Sequence, residues 1–312
     1  MMRLLQQARR LSVAPIRQIR KGKAKPPNKL KLKPRRRRRA HIAATPAPEN
    51  RLIDERAGQL QVRLAETWDE VDAALALRYR VFFEEMQARA APGVVAKQRD
   101  VDEFDPYCDH LLVIDTALGT GPEAVVGTYR MLRREGAAKV GRFYSSSEYD
   151  LRPIIDHQGP ILEMGRSCVD TAHRTRSAMQ LLWKGVTAYV LAHRIDILFG
   201  CASLHGTDPA AMALPLSYLY HHHLAPPDLR PVALPARHVS MNLMPKEAID
   251  AKAAMRDLPP MIKGYLRLGG VVGEGAVIDY DFNTVDVFVY VDMRKVSEKY
   301  YRHYTRGMKA EA

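Results

Sequence analysis

The sequence predicts an α/β fold: a central mixed sheet with one bulged, splayed strand, flanking helices and a helical insertion. Three observations predict it. Strand-type runs recur at 61–65, 110–115, 124–132, 161–169 and 195–203, and helix-type 3–4 spacing falls between some of them. A final pair of strand patterns, 275–281 and 285–292, closes around the turn pair Asn283-Thr284. Third, Glu163-Met-Gly-Arg166 sets opposite charges three apart in a strand, where side chains three apart point to opposite faces. Gly165 between them is the residue type that permits a bulge. Such a kink would turn both charges to one side and aim backbone N–H groups into a cleft.

Taken in order, residues 1–56 read as a mostly disordered basic arm, with Lys21-Gly-Lys-Ala-Lys-Pro-Pro, the Arg35–Arg39 run and Ala-Thr-Pro-Ala-Pro at 44–48. The folded body then opens with the strand at 61–65. Thr67-Trp-Asp-Glu70 fits a capping box for the next helix. Along one face of that helix run Val71, Ala74, Leu75, Arg78, Phe82 and Met86. Arg78 thus falls inside an apolar stripe, where an arginine needs a buried anion or a ligand carboxylate. An acidic loop, Asp100-Val-Asp-Glu-Phe-Asp105, precedes the next strands. Ala178, Leu181, Leu182, Val186, Tyr189 and Val190 mark a helix before the strand at 195–203. The body divides into a core part at 57–205, a largely helical insertion at 206–257 punctuated by Pro215, Pro226, Pro227, Pro231 and Pro235, and a second core part at 258–295. Residues 296–312 form a tail.

Composition bounds the function. The chain has 312 residues and a formal charge of +13, but residues 1–50 hold 16 Lys/Arg against the single acid Glu49. The remaining residues carry 32 bases and 34 acids, so the body is not basic and the high pI is no sign of a specific nucleic-acid-binding domain. Leu4, Leu5, Ala8 and Leu11 would lie along one side of a short basic helix, suited to an anionic membrane surface. Three cysteines, Cys108, Cys168 and Cys201, with no CxxC pair, suggest reduced thiols in the cytoplasm. No apolar run reaches the length needed to span a bilayer.

The element order β–α–acidic loop–β–β–β–α–β–α–β–β resembles the GCN5-related N-acyltransferase (GNAT) fold. Arg78-x-x-x-Phe82, the loop ending Phe104-Asp105, Gly127-Thr-Tyr-Arg130 and Glu163-x-x-Arg166 resemble the acyl-homoserine-lactone synthases. Closer still are Asp102-Glu-Phe-Asp-Pro-Tyr-Cys-Asp-His110, Leu162-Glu-Met-Gly-Arg-Ser-Cys168, Leu198-Phe-Gly-Cys-Ala-Ser203, Leu258–Gly269 and Gly275–Thr284. By these the chain resembles the bacterial L-ornithine N-alpha-acyltransferase family over residues 60–295. The resemblance implies transfer of a (3-hydroxy)fatty acyl group from acyl carrier protein to the α-amine of L-ornithine, giving lyso-ornithine lipid. It implies no bound cofactor, the donor being a phosphopantetheine thioester. It also gives the arm a purpose, holding the enzyme to the cytoplasmic face of the inner membrane. Two alternatives stay open: a homoserine-lactone-type synthase using S-adenosylmethionine, and a non-catalytic basic tether for membrane or nucleic acid.

That reaction needs guanidinium for a carboxylate, a base for an ammonium and amides for a thioester oxyanion. Glu163 is the candidate base, the N–H groups of Met164 and Gly165 the candidate oxyanion donors, and Arg166 completes the catalytic set. Arg78 and Arg130, with Arg166, suit the carboxylate because a planar fork matches it. Asp102 and Asp105 suit the amino groups. A buried salt-bridge network ordering the acidic loop is the alternative for these arginines and aspartates, and a structural Glu163–Arg166 pair holding the bulge is the alternative for Glu163. The usual pyrophosphate loop reads here Arg174-Thr-Arg-Ser-Ala-Met179, without its glycines. That favours a pantetheine arm with one phosphate, held by Arg174, Arg176 and Ser177 at a helix start. The acidic loop lacks the glycine and glutamate of a calcium loop, and His221-His-His223 lacks metal-ligand spacing, so no metal is expected. Cys201 and Ser203 could sit near the thioester, but direct amine attack is simpler.

Overall fold

The computed structural model describes residues 53–296, so the basic arm up to residue 52 and the tail from 297 lie outside the described residues. Strands β1 (Asp54–Ala57) and β2 (Leu60–Leu64) form a hairpin. Its turn is at Gly58, whose positive φ of 62° suits a residue without a Cβ. The first strand thus takes up residues 54–56 of the stretch expected to be arm. Helix α1 (Trp68–Tyr79) begins at Thr67, whose hydroxyl accepts the Glu70 N–H at 3.2 Å. The Glu70 carboxylate reaches back to the Glu66 N–H (2.7 Å), one residue beyond the partner a capping box would give it. The helix runs on as a π-helical segment, Arg80–Glu85.

Further along lie α2 (Pro92–Lys97), β3 (Asp109–Asp115), β4 (Val125–Arg133), α3 (Arg134–Val140), β5 (Tyr149–Asp150), α4 (Arg152–Ile155) and β6 (Ile161–Val169). Helix α5 (Arg176–Ala192) follows, capped by Thr175, and then β7 (Ile197–His205). The insertion carries two helices, α6 (Ala213–His223) and α7 (Ala251–Asp257), and more besides. Its prolines confine the helices, and the chain between them adds β8 (Val232–Ala233) and β9 (His238–Val239) to the sheet. Last come α8 (Pro260–Arg267), β10 (Val271–Asp279) and β11 (Thr284–Asp292), with Asn283 taking the positive φ of 54° in the final turn.

The strand order is β1-β2-β3-β4-β6-β7-β11-β10-β8-β5, with β9 on β10. Two features of β6 open a cleft in this sheet. Its parallel pairing with β7 covers only Ile161↔Ile197 to Glu163↔Phe199, after which the strands part. Gly200 sits at the parting, where an added Cβ would fall 2.3 Å from the Met164 carbonyl oxygen. On the other side, β6 pairs β4 through Arg130↔Gly165 and Thr128↔Cys168, so Arg166 and Ser167 together oppose the single residue Tyr129. This is the bulge. Gly165 keeps regular register, and the left-handed backbone belongs to Arg166 (φ 56°). A non-glycine residue held there costs about 1 kcal/mol or more, so its surroundings must compensate.

They do so through charge. Arg78 is 0% exposed, and its guanidinium gives Nε to Asp100 (2.8 Å) and Nη1 to Asp105 (2.6 Å). Arg130 reaches Asp102 (2.6 and 2.7 Å) and Asp105 (3.1 Å). Arg166 donates to Asp100 at 3.2 Å, and its guanidinium lies over the rings of Phe282 (4.4 Å) and Tyr144 (4.8 Å). Three arginines and three aspartates therefore tie α1, the acidic loop, β4 and the bulge of β6 into one unit. Burial pushes the Asp100 and Asp105 carboxyls up. The guanidinium groups outweigh it, Arg78 and Arg166 at Asp100, Arg78 and Arg130 at Asp105, and hold both below the usual carboxylate range.

Carboxyls so depressed stabilise the fold fully above about pH 4, where the unfolded chain is also ionised, and lose that contribution as pH falls through the folded values. Arg78→Met should cost about 3–5 kcal/mol in chemical denaturation by taking a fully buried counter-charge from two buried carboxylates, and should remove much of the steep loss of stability below pH 4. A variant with wild-type stability at pH 7 would show that the network does not hold the fold.

Candidate active site

The cleft opened by β6 is a cavity of ≈ 510 Å³. Glu163 and Arg166 both line it, as do Arg130, Met164 and Gly165. An added Cβ at Gly165 would meet nothing within 4 Å, so the absent side chain leaves the cleft open at that point.

Glu163 is 4% exposed, and its carboxylate accepts three hydrogen bonds from the turn that follows α3. These come from the N–H groups of Tyr144 and Ser145, both at 2.7 Å, and from the Ser145 hydroxyl at 2.5 Å. Burial nevertheless raises its pKa above the ordinary glutamate value, against the pull of those donors. Arg166 meets the same turn from the other end, donating to the Tyr144 hydroxyl at 3.2 Å. Tyr144 thus stands between the acid and the guanidinium, and neither charge is spent on the other. The Ser145 hydroxyl lines the cavity and also accepts the Cys201 thiol at 3.4 Å. It forms a short path from open space to the Glu163 carboxylate. Burial pushes the Cys201 thiol well above its ordinary range, which makes it a poor nucleophile.

The other expected residues divide by place. Arg130 is on the cavity wall and in the ion-pair network together. Arg78, Asp102 and Asp105 stand behind the wall, where their charged groups meet one another. Asp102 also caps the loop, accepting the Phe104 N–H at 2.9 Å, so its geometry is that of a loop organiser. Arg174 lines the cavity mouth and is held by the Val169 carbonyl (3.0 Å) and Glu85 (2.5 Å). Arg176 and Ser177 lie beside it, exposed at the start of α5. His221 and His223 spend ring nitrogens on the Met244 carbonyl (3.1 Å) and the Tyr218 hydroxyl (3.3 Å).

One side of the cavity is apolar. Met164, Met261, Ile262 and Tyr265 supply it, and the Tyr265 hydroxyl bonds to that of Tyr129. The floor is acidic. Asp279 and Asp286 line it, and Glu148 lies close behind. Sequence patterns pointed to none of these three, nor to Tyr144 and Ser145. Only Asp286 carried a signal, an acid flanked by valines in an otherwise apolar strand.

Comparison with known proteins follows the same lines. Residues 77–184 match the acetyltransferase (GNAT) domain. The L-ornithine N(alpha)-acyltransferase of Brucella abortus (strain 2308) is 49% identical over 257 residues, 81% of this chain and 91% of that protein. The enzyme of the same name from Rhodobacter capsulatus is 49% identical over 251 residues, 79% of this chain and 95% of that protein. Among solved structures, the N-acyl amino acid synthase FeeM from uncultured soil microbes superposes over 76% of this chain and 92% of its own, at 13% identity and a TM-score of 0.41. A cleft at a splayed strand, the GNAT domain and relatives of nearly half-identical sequence agree: the chain is an acyltransferase and belongs to the L-ornithine N(alpha)-acyltransferase family.

Proposed function

We propose that the enzyme transfers a (3-hydroxy)fatty acyl group from acyl carrier protein to the α-amine of L-ornithine, releasing lyso-ornithine lipid. The observation that supports it most is one cavity that is apolar on one wall, where an acyl chain would lie, and carries Glu163 and Arg166 at the turn of the splayed strand. The relatives' name supplies the amino acid.

In this reading the ornithine carboxylate lies against Arg166, with Arg130 adding positive potential behind it. The α-ammonium gives a proton to Glu163, directly or across the Ser145 hydroxyl, which passes its own proton on. The freed amine attacks the thioester carbonyl carbon, forming a C–N bond. The oxyanion draws on the backbone N–H of Met164, on the edge of β6 that faces the parting from β7, with Gly165 leaving room for the acyl group. Collapse breaks the C–S bond, the nitrogen gives up its remaining extra proton to the departing pantetheine thiolate, and Glu163 releases the first proton to solvent. Arg174, Arg176 and Ser177 at the start of α5 would hold the single pantetheine phosphate. Among the described residues no helix is long and apolar enough to cross a membrane. The basic arm would supply a surface attachment, drawing the enzyme to an anionic inner leaflet.

The direct test incubates the purified full-length chain with 3-hydroxyacyl carrier protein and ornithine and identifies the product by mass spectrometry. An acylated ornithine with a free δ-amine is expected, and its absence would end the proposal. Glu163→Gln should lower turnover by about 10²–10⁴-fold and abolish the acid limb of the pH–rate profile. If the limb persists, the base is elsewhere. Gly165→Val, at a site with room and without positive φ, should keep the melting temperature while lowering kcat at least tenfold by filling the cleft. Unchanged turnover would show that the acyl group does not pass this point of the cleft. Removing residues 1–50 should reduce co-sedimentation with anionic vesicles and spare turnover on soluble substrate. Equal sedimentation would remove the arm from membrane attachment.

A further inference from the structure

The acidic floor of the cavity has too few donors. Oxygens of Glu148, Asp279 and Asp286 lie within 4.8 Å of one another. Glu148 is 2% exposed and Asp286 7%, yet Glu148 Oε2 and Asp286 Oδ1 have no hydrogen-bond partner. A second observation, outside the three acids, points the same way. The Thr284 hydroxyl is 3% exposed, lines the cavity beside them, and has no partner outside this group. Buried oxygens left in this state are costly, and their clustering on one wall of a binding cavity calls for a ligand that brings donors and positive charge.

Near neighbours supply hydroxyls and a thiol but little charge: the hydroxyls of Ser203 and Thr284 face Asp286, and the thiol of Cys201 faces Glu148. Arg237 approaches Glu148 Oε1 at 3.5 Å from the solvent side. Asp279 spends Oδ1 on the N–H groups of Asp281 and Phe282, leaving its other oxygen. Burial, then the Asp286 carboxylate, pushes Glu148 up to about 7, and burial raises Asp286 as well. Both shifts are those of an anionic pocket short of a counter-charge.

We propose that Asp279, Asp286 and Glu148, with the Thr284 hydroxyl, form the subsite for the side-chain ammonium of the amino-acid acceptor and make the enzyme selective for a dibasic amino acid. The inference deepens the acyl-transfer reading above and rests on it. An ammonium brings three N–H donors, which matches three unmet oxygens. The position fits as well. The Arg166 guanidinium sits on the Phe282 ring, and the Phe282 N–H goes to Asp279, so a carboxylate-binding cation and the acidic floor are neighbours across one residue. A short amino acid spans them with its α-amine between. Three monodentate oxygens, one already shared with a turn, fall well short of the 6–8 oxygen ligands calcium takes.

The experiment uses the full-length enzyme with 3-hydroxyacyl carrier protein and compares ornithine with norvaline, which has the same three side-chain carbons and no terminal amine. Wild type should prefer ornithine by ~100-fold or more in kcat/KM, since a site built around hydrogen-bond partners rejects an analogue lacking them. Asp286→Asn should cut that preference at least tenfold, chiefly through the ornithine KM. Asp279→Asn, which retains the Oδ1 that caps the turn, should do the same and covers the case in which the first variant folds poorly. If both variants acylate ornithine with the preference intact, or if wild type treats the two amino acids alike, the subsite is overturned while the acyl transfer stands. If wild type acylates neither amino acid, the function proposed above fails and takes the subsite with it. Loss of turnover in EDTA, restored by calcium, would assign the acids to a metal and overturn the proposal too.

Discussion

A guanidinium with no access to water has to be surrounded by anions, and in this protein that requirement organises everything near the cleft. Arg78 lies in the interior because α1 must present an apolar face to the sheet, and its position in that stripe carries it inward. Once there it draws Asp100 and Asp105 in after it, and the loop between them is fixed. The same aspartates then receive Arg166 and Arg130. An unpaired charge in such a place would cost several kcal/mol, so the set forms together or not at all.

The bulge of β6 follows from this arrangement. Its left-handed residue is an arginine whose side chain is held on three sides, by Asp100, the Tyr144 hydroxyl and two aromatic faces. Those contacts offset the backbone cost, and the strain sits beside the space where a substrate would bind. Gly165 plays a different part from the one its residue type suggests. It gives room instead of curvature, and Gly200 gives the close approach that lets β7 turn away.

The cavity is therefore bounded by surfaces of three kinds. Apolar side chains from β6 and α8 form one, the cationic bulge another, and an under-hydrogen-bonded acidic floor from β10 and β11 the third. That division is the one the proposed product, a fatty chain joined to a zwitterionic amino acid, would need. Glu163, buried and gripped by the Tyr144–Ser145 turn, lies where the kinds meet.

The sequence by itself determined the alternation of strands and helices, the fold family and the special status of segment 163–166. These rest on local periodicity and on short motifs, which are written residue by residue. It also placed Arg78 in an apolar stripe, from which a buried anionic partner had to follow. Which partner was a tertiary matter. Asp102 and Asp105 carry the same charge as Asp286, and only packing sent the first two behind the cavity wall and the last onto its floor. Likewise, β1, β8 and β9 are too short to show a period, and exist because neighbouring strands offered free backbone edges. The acidic floor joins residues 148, 279 and 286, more than 130 positions apart at the extremes. Such a grouping is made by strand order and register, quantities that no stretch of chain contains alone.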